Sequence, residues 1–157
     1  MNAEDILFYG HRTLMSTLDG IPLDQWHTSG VCGYWSVKDI IAHLASYELV
    51  LVDVLGNLVD GRPTPNLKLF SDAQFNDLQV EQRQGNSPAQ VQAEYEDAHQ
   101  KVRELIAQVP IETRRRAGVL AWYGEAYDLE DFLVYSFYGH KREHSAQIAV
   151  FKDTLKG

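Results

Sequence analysis

Apolar residues recur at helical spacing through most of the chain, and the period-two alternation expected of strands is scarce. Ile6, Leu7, Leu14, Met15 and Leu18 share one face and predict a first helix from about Ala3 to Leu18, stopped by Asp19-Gly20-Ile21-Pro22. A loop through Gly30-Val31-Cys32-Gly33-Tyr34-Trp35 leads to the clearest helix start. Ser36-Val37-Lys38-Asp39 has the form of a capping box, with Trp35 and Ile40 placed for a hydrophobic staple. Ile40, Ile41, Leu44, Leu51, Val54, Leu55 and Leu58 carry this second helix to about Val59, and Asp60-Gly61-Arg62-Pro63 ends it.

The stretch 61–87 is the least regular. Pro63 and Pro65 favour extended backbone, and a short helix is predicted from Ser71, as its cap, to Gln84. A connection of this length suits helices that are not simple hairpin neighbours, or a lid over a site. Ser87-Pro88, a cap followed by proline in the first turn, opens a third long helix to about Val109. Its stripe is Val91, Tyr95, Ala98, Val102, Leu105 and Ile106. A second irregular connection spans 111–127. The last helix is predicted without interruption from Asp128 to about Leu155, with Phe132, Leu133, Phe137, Ile148 and Phe151 inward. Four long amphipathic helices, one short extra helix and two extended connections predict an all-α four-helix bundle.

Composition narrows the function classes. With 157 residues, 45% of them hydrophobic, the chain can build one core, so a single domain over residues 1–157 is expected. The formal charge of −8 argues against a nucleic-acid partner. The one dense basic run, Arg114-Arg115-Arg116, reads as a solvated turn after a helix end. Cys32 is the only cysteine, so no intramolecular disulfide forms, and the small buried thiol reading is the default. No leader-like segment is present, and the longest apolar candidate, Leu49 to Leu55, is broken by Asp53. A soluble, cytoplasmic protein with no membrane partner is the expectation.

Candidate chemistry lies in the histidines. His140 and His144 stand four apart on the last helix, nearly on one face and one turn apart. Such a pair also arises by chance, and a lone inward histidine is commonly a hydrogen-bonded core residue. Here, however, His140, His144 and Gln147 interrupt a face that should be apolar, and buried polar groups are costly unless satisfied. His43, between Ile40 and Tyr47, supplies a third imidazole from another helix. Three neutral imidazoles leave a divalent ion an open position, the layout of a catalytic rather than a closed structural site. Tyr47 and Asp39, one turn after and before His43, are candidate supporting or catalytic residues. Core packing for the tyrosine and helix capping for the aspartate are the plainer readings. Glu143 reads as solvated, and His11, His27 and His99 as surface or rim residues.

Trp35-Ser36-Val37-Lys38-Asp39-Ile40-Ile41-Ala42-His43-Leu44, followed downstream by His140-Lys141-Arg142-Glu143-His144-Ser145-Ala146-Gln147-Ile148, resembles the DinB/YfiT-like superfamily over nearly the whole chain. The resemblance implies a four-helix bundle in which His43, His140 and His144 hold a divalent metal, with zinc or nickel the expected ions, and a homodimeric assembly. It also implies thiol-dependent S-transferases or isomerases among the relatives, so that a low-molecular-weight thiol is an expected co-substrate beside a small-molecule substrate. The expected function is a metal-dependent transferase or hydrolase, the alternative being a non-catalytic metal- or small-ligand-binding stress-response protein.

Overall fold

The computed structural model describes residues 2–156. The long elements are α1 (Ala3–Leu18), α2 (Val37–Asp60), α5 (Pro88–Ile106) and a C-terminal rod. The rod is made of α7 (Leu129–Leu133), a π-helical turn (Val134–Gly139) and α8 (His140–Thr154). Three short helices fill the connections: α3 (Pro65–Phe70), α4 (Phe75–Gln82) and α6 (Ile111–Arg114), with a 3₁₀ turn at Leu23–His27. Among the described residues there is no strand, only the isolated bridge Cys32–Trp35. The arrangement is an all-α bundle in which α2 packs mainly on α5, and α1 mainly on α8 and the π turn. No helix of the described residues is long and apolar enough to cross a membrane.

The caps explain where the helices begin. At α2 the Ser36 hydroxyl accepts from Asp39 N–H (3.2 Å) while the Asp39 carboxylate accepts from Ser36 N–H (3.0 Å), the reciprocal box read from the sequence. Ser87 with Gln90 and Asp128 with Asp131 form two more such boxes. Gly61 ends α2 at φ +74°, a left-handed conformation that disfavours any residue with a Cβ.

Four local expectations are corrected. Pro65 is not extended but opens α3, where its missing N–H has no helical partner to lose. The short helix is Phe75–Gln82 rather than Ser71 to Gln84, and Ser71 closes α3 instead of capping α4. Arg114 is not solvated: it is buried and donates to the carbonyls of Ile106 (2.6 Å) and Val109 (2.9 Å), satisfying the frayed end of α5. Finally, the last helix is not uniformly α but widens into the π turn just before His140.

The core is in two parts. One apolar cluster gathers Ile6, Leu7, Leu51, Leu55, Val102, Ile106, Phe132, Leu133 and Phe137, among others. A second gathers Leu14, Leu18, Trp26, Ile40, Ile41, Leu44, Val91, Tyr95 and Ile148. On every long helix a polar residue stands between these sets: His11 on α1, Glu48 on α2, His99 on α5, Lys141 on α8. They meet in a layer across the middle of the bundle. His11 stacks on His99 at a centroid distance of 3.9 Å and reaches the Tyr95 hydroxyl at 3.0 Å. His99 Nδ1 lies 3.4 Å from a Glu48 carboxylate oxygen, and the other oxygen is paired with the Lys141 ammonium. His99 is therefore not a surface or rim residue, and His11, half-buried, sits at the edge of this layer. His99 is fully buried, whereas His27 is exposed as expected.

Candidate metal centre

The residues of the candidate centre sit at the level of this polar layer. His43 comes from the second turn of α2, and His140 and His144 from the first turns of α8. His140 Nε2 lies 2.9 Å from His43 Nε2 and 3.0 Å from His144 Nε2, and one ligand atom from each ring falls within 4.8 Å of the others. The structure thus brings together the three histidines singled out in the sequence.

The local sequence explains each ring's position. A tight turn in which Trp35 N–H donates to the Cys32 carbonyl (2.9 Å) returns the chain so that the Trp35 ring covers His43, 4.9 Å between centroids. Tyr47, one turn along α2, packs edge-on to it at 4.7 Å and also contacts His140 at 4.6 Å. The π turn is the device on the other wall. Its extra residue per turn re-phases α8 relative to α7, so that His140 and His144 face inward together with Phe132 and Phe137 of the preceding stretch. Gly139 closes the turn where an added Cβ would stand 3.3 Å from the Val134 carbonyl oxygen.

The protonation states suit a cation. Burial, and then the neighbouring His140 and His144, pull His43 down to about 2. Burial, then His144 and Lys141, pull His140 down to about 4, the Ser136 carbonyl acting the other way. Burial also lowers His144, against the pull of Gln147 and the Glu143 carboxylate. All three rings are neutral near pH 7. The His144 Nδ1–H donates to the Gln147 side-chain oxygen at 2.8 Å, which leaves the Nε2 lone pair directed at the cluster.

The donor set fits a metal. Each N···N contact needs one N–H and one lone pair, and His140 Nε2 takes part in both with a single valence to offer. Hydrogen bonds among the rings satisfy the cluster only in part, whereas a central cation accepts three lone pairs at once. Zinc–imidazole bonds of about 2.0–2.1 Å would hold the ligand nitrogens somewhat farther apart than the two short contacts that His140 Nε2 makes.

Of the supporting candidates, Tyr47 lies at the cluster and Asp39 does not contact it. Both Asp39 oxygens are engaged elsewhere, one in the α2 cap and one by the Gln84 side-chain amide at 3.0 Å. Burial raises the Tyr47 phenol, with Asn76 acting the other way, so its hydroxyl stays protonated near neutral pH. Sequence reasoning noted Gln147 only as an interruption of an apolar stripe and passed over Phe70, Tyr135 and Ser136. With Tyr47, Val134, Gly139, His140 and Glu143 these three line a cavity of about 550 Å³. The connection 61–87 supplies one wall: Phe70 of α3 packs edge-on to Tyr47 at 5.2 Å, and Phe75 of α4 backs Phe70 at 5.3 Å. Asp53 of α2 holds α3 in place by accepting from the backbone N–H of Asn66 (2.6 Å) and Leu67 (3.1 Å).

Fold and site together define a helical bundle with an inward cluster of three histidines beside an open cavity. The model of the mycothiol maleylpyruvate isomerase N-terminal domain matches residues 8–128, and the chain belongs to that family, a DinB/YfiT-like one. The match includes His43 and stops before the rod that carries His140 and His144. Neither a curated protein nor a solved structure matches the chain.

Proposed function

We propose that the chain holds one divalent cation, zinc or nickel, on the Nε2 atoms of His43, His140 and His144, and acts as a thiol-dependent transferase or isomerase on a small molecule. The convergence of the three Nε2 atoms carries this reading. A divalent ion with three imidazole ligands and an open position supplies thiol activation and carbonyl polarisation. Imidazole donors suit both metals. The family's namesake supports a thiol partner, because it is described by mycothiol as well as by its substrate.

The chain's own residues supply the rest. Gln147 fixes the His144 tautomer, and Trp35 with Tyr47 clamps the His43 ring. Phe70, Phe75 and Phe137 around Tyr47 exclude water from one side of the cluster. The protonated Tyr47 hydroxyl, at the cavity wall, is placed to donate to an oxygen of a bound substrate.

Metal analysis of untagged protein tests the site: about one ion per chain is expected, falling sharply in His43→Ala. Content well below one per chain, unchanged by that substitution, would remove the site. Thiol consumption against a panel of electrophiles, with and without chelator, tests the activity. Chelator-sensitive turnover without any thiol would point to a hydrolase instead. Metal binding with no chelator-sensitive turnover would point to a non-catalytic binding protein.

A further inference from the structure

Helical serine and threonine hydroxyls commonly turn back onto a carbonyl three or four residues earlier. Thr17, Ser46 and Thr154 do so, at 2.8, 2.6 and 2.6 Å. Ser136, inside the π turn, makes no such bond among the described residues and lines the cavity together with His140. Its carbonyl, one turn before His140, already supports that ring. The hydrogen-bonding neighbour of its side chain is the Tyr123 hydroxyl, brought in by the connection 111–127. The Tyr123 ring is held by Phe132 at 4.9 Å and Tyr127 at 5.5 Å. Burial raises the Tyr123 phenol, with Ser136 acting the other way, so the group is a donor near neutral pH. With Tyr123 donating, the Ser136 oxygen accepts and its own O–H is left for whatever enters the cavity.

Tyr47 repeats the arrangement from α2. It lines the same cavity, and Asn76 of α4 is the hydrogen-bonding neighbour of its hydroxyl. Each irregular connection thus supplies one orienting group, Asn76 from 61–87 and Tyr123 from 111–127, to one hydroxyl at the His140 wall. Two neutral O–H donors suit a carbonyl oxygen, which offers lone pairs and no proton. An apolar surface in the same place would leave both donors unpaired once water is displaced, which is costly. The preference has the same sign as the carbonyl polarisation assigned to the cluster. Phe70 and Val134, also in the lining, match an apolar body attached to that carbonyl.

We propose that Ser136 is a substrate-binding residue: its O–H, oriented by Tyr123, donates beside that of Tyr47 to a carbonyl oxygen, so that the cavity takes small carbonyl compounds with an apolar body. The inference rests on the reading of the histidine cluster as the reaction centre, but recognition by Ser136 and Tyr123 is measurable without the ion.

The test uses two probes of nearly one shape, 4-fluoroacetophenone and 4-fluoroethylbenzene, which differ in the carbonyl oxygen. Both are titrated by fluorine NMR into chelator-treated full-length protein. Ser136→Ala should weaken the ketone about two- to tenfold, the range for one neutral hydrogen bond, and leave the hydrocarbon unchanged. Ser136→Thr, which keeps the hydroxyl, should restore the ketone. Tyr123→Phe, which keeps the ring, should weaken the ketone by less and again spare the hydrocarbon. It leaves the π turn untouched and carries the test by itself should Ser136→Ala not fold. A ketone that does not bind the parent protein, that is unmoved by Ser136→Ala, or that weakens in step with the hydrocarbon overturns the proposal. A ketone affinity unmoved by Tyr123→Phe overturns the orienting role. Zinc content of the same preparations before chelation should be equal in the parent and Ser136→Ala. A parent without zinc would remove the reading of the histidines and leave the probe result standing.

Discussion

The Glu48–Lys141 pair should be the most sensitive point of the bundle. Glu48 is 0% and Lys141 2% exposed, and the pair bridges α2, five residues after His43, to α8, one residue after His140. Burial alone would push the Glu48 carboxyl up; Lys141 and His99 more than offset this and hold it at about 2. Glu48→Gln removes the counter-charge and strands an ammonium in the core, which should cost about 3–5 kcal/mol. In a chain of this size that corresponds to a fall in Tm of about 6–20 °C. Glu48→Met combined with Lys141→Met removes both charges at similar volume. That double variant should lie within about 2 kcal/mol of the parent or exceed it, because a buried pair and a well-packed apolar substitute are nearly equivalent. The assay is urea unfolding at pH 8 of chelator-treated protein, so that no bound ion adds to the stability of the native state. Dependence of each variant on the other is the signature of direct pairing. A loss below about 1 kcal/mol for Glu48→Gln, or a double variant as damaged as the sum of the singles, would refute the view that this pair clamps α8 onto α2.

Three further outcomes are expected. Gln147→Leu frees the His144 ring and should weaken zinc binding about tenfold with little change in fold, whereas Gln147→Glu, which keeps an acceptor for Nδ1–H, should retain affinity; competition with a chromogenic chelator measures both. Asp53→Ala removes the acceptor for the first N–H groups of α3 and should cost about 1–2 kcal/mol, with faster proteolytic cleavage within 61–70 as the direct readout. Stability of the metal-free protein should fall as pH drops below about 6.5. Burial, the stacked His99 and Lys141 hold His11 at about 3, and burial lowers His99 against the pull of Glu48, so the unfolded chain takes up protons that the fold refuses. Glu48, depressed to about 2 from 4.5, adds a loss of the same sign at still lower pH. His11→Leu should flatten the urea-midpoint profile between pH 8 and pH 5 by about 1 kcal/mol, a value reduced for the ring's partial exposure; a midpoint that rises on acidification would contradict the assignment.

Much of this was legible in the chain itself because it is local. The boxes at Ser36, Ser87 and Asp128 are written within four residues each, and the apolar stripes set which face of each long helix is buried. The histidine cluster was legible for the same reason on its helical side: a spacing of four fixes His140 and His144 on one face wherever that helix packs. The polar layer was half-legible. His11, Glu48, His99 and Lys141 each sit four residues after an inward apolar residue, Leu7, Leu44, Tyr95 and Phe137, so each interrupts a stripe. Read one helix at a time, such interruptions look like rim positions, because nothing local says that a partner waits on another helix.

Tertiary structure alone decided the rest. That Glu48 meets Lys141 depends on the axial stagger of α2 against α8, which no window of sequence contains. Arg114 folds back on the end of α5 because free carbonyls lie within its reach, a fact about the turn it closes rather than about a run of three arginines. Helical periodicity cannot distinguish a π turn from an α turn over six residues, so the re-phasing of α8 before His140 appears only when both halves of the rod are packed. Whether the third histidine meets the other two is likewise a matter of packing. The sequence by itself determined the helices, their inward faces and which imidazoles share a side; the fold decided that those sides converge, and built beside them a cavity that one of them, His140, lines.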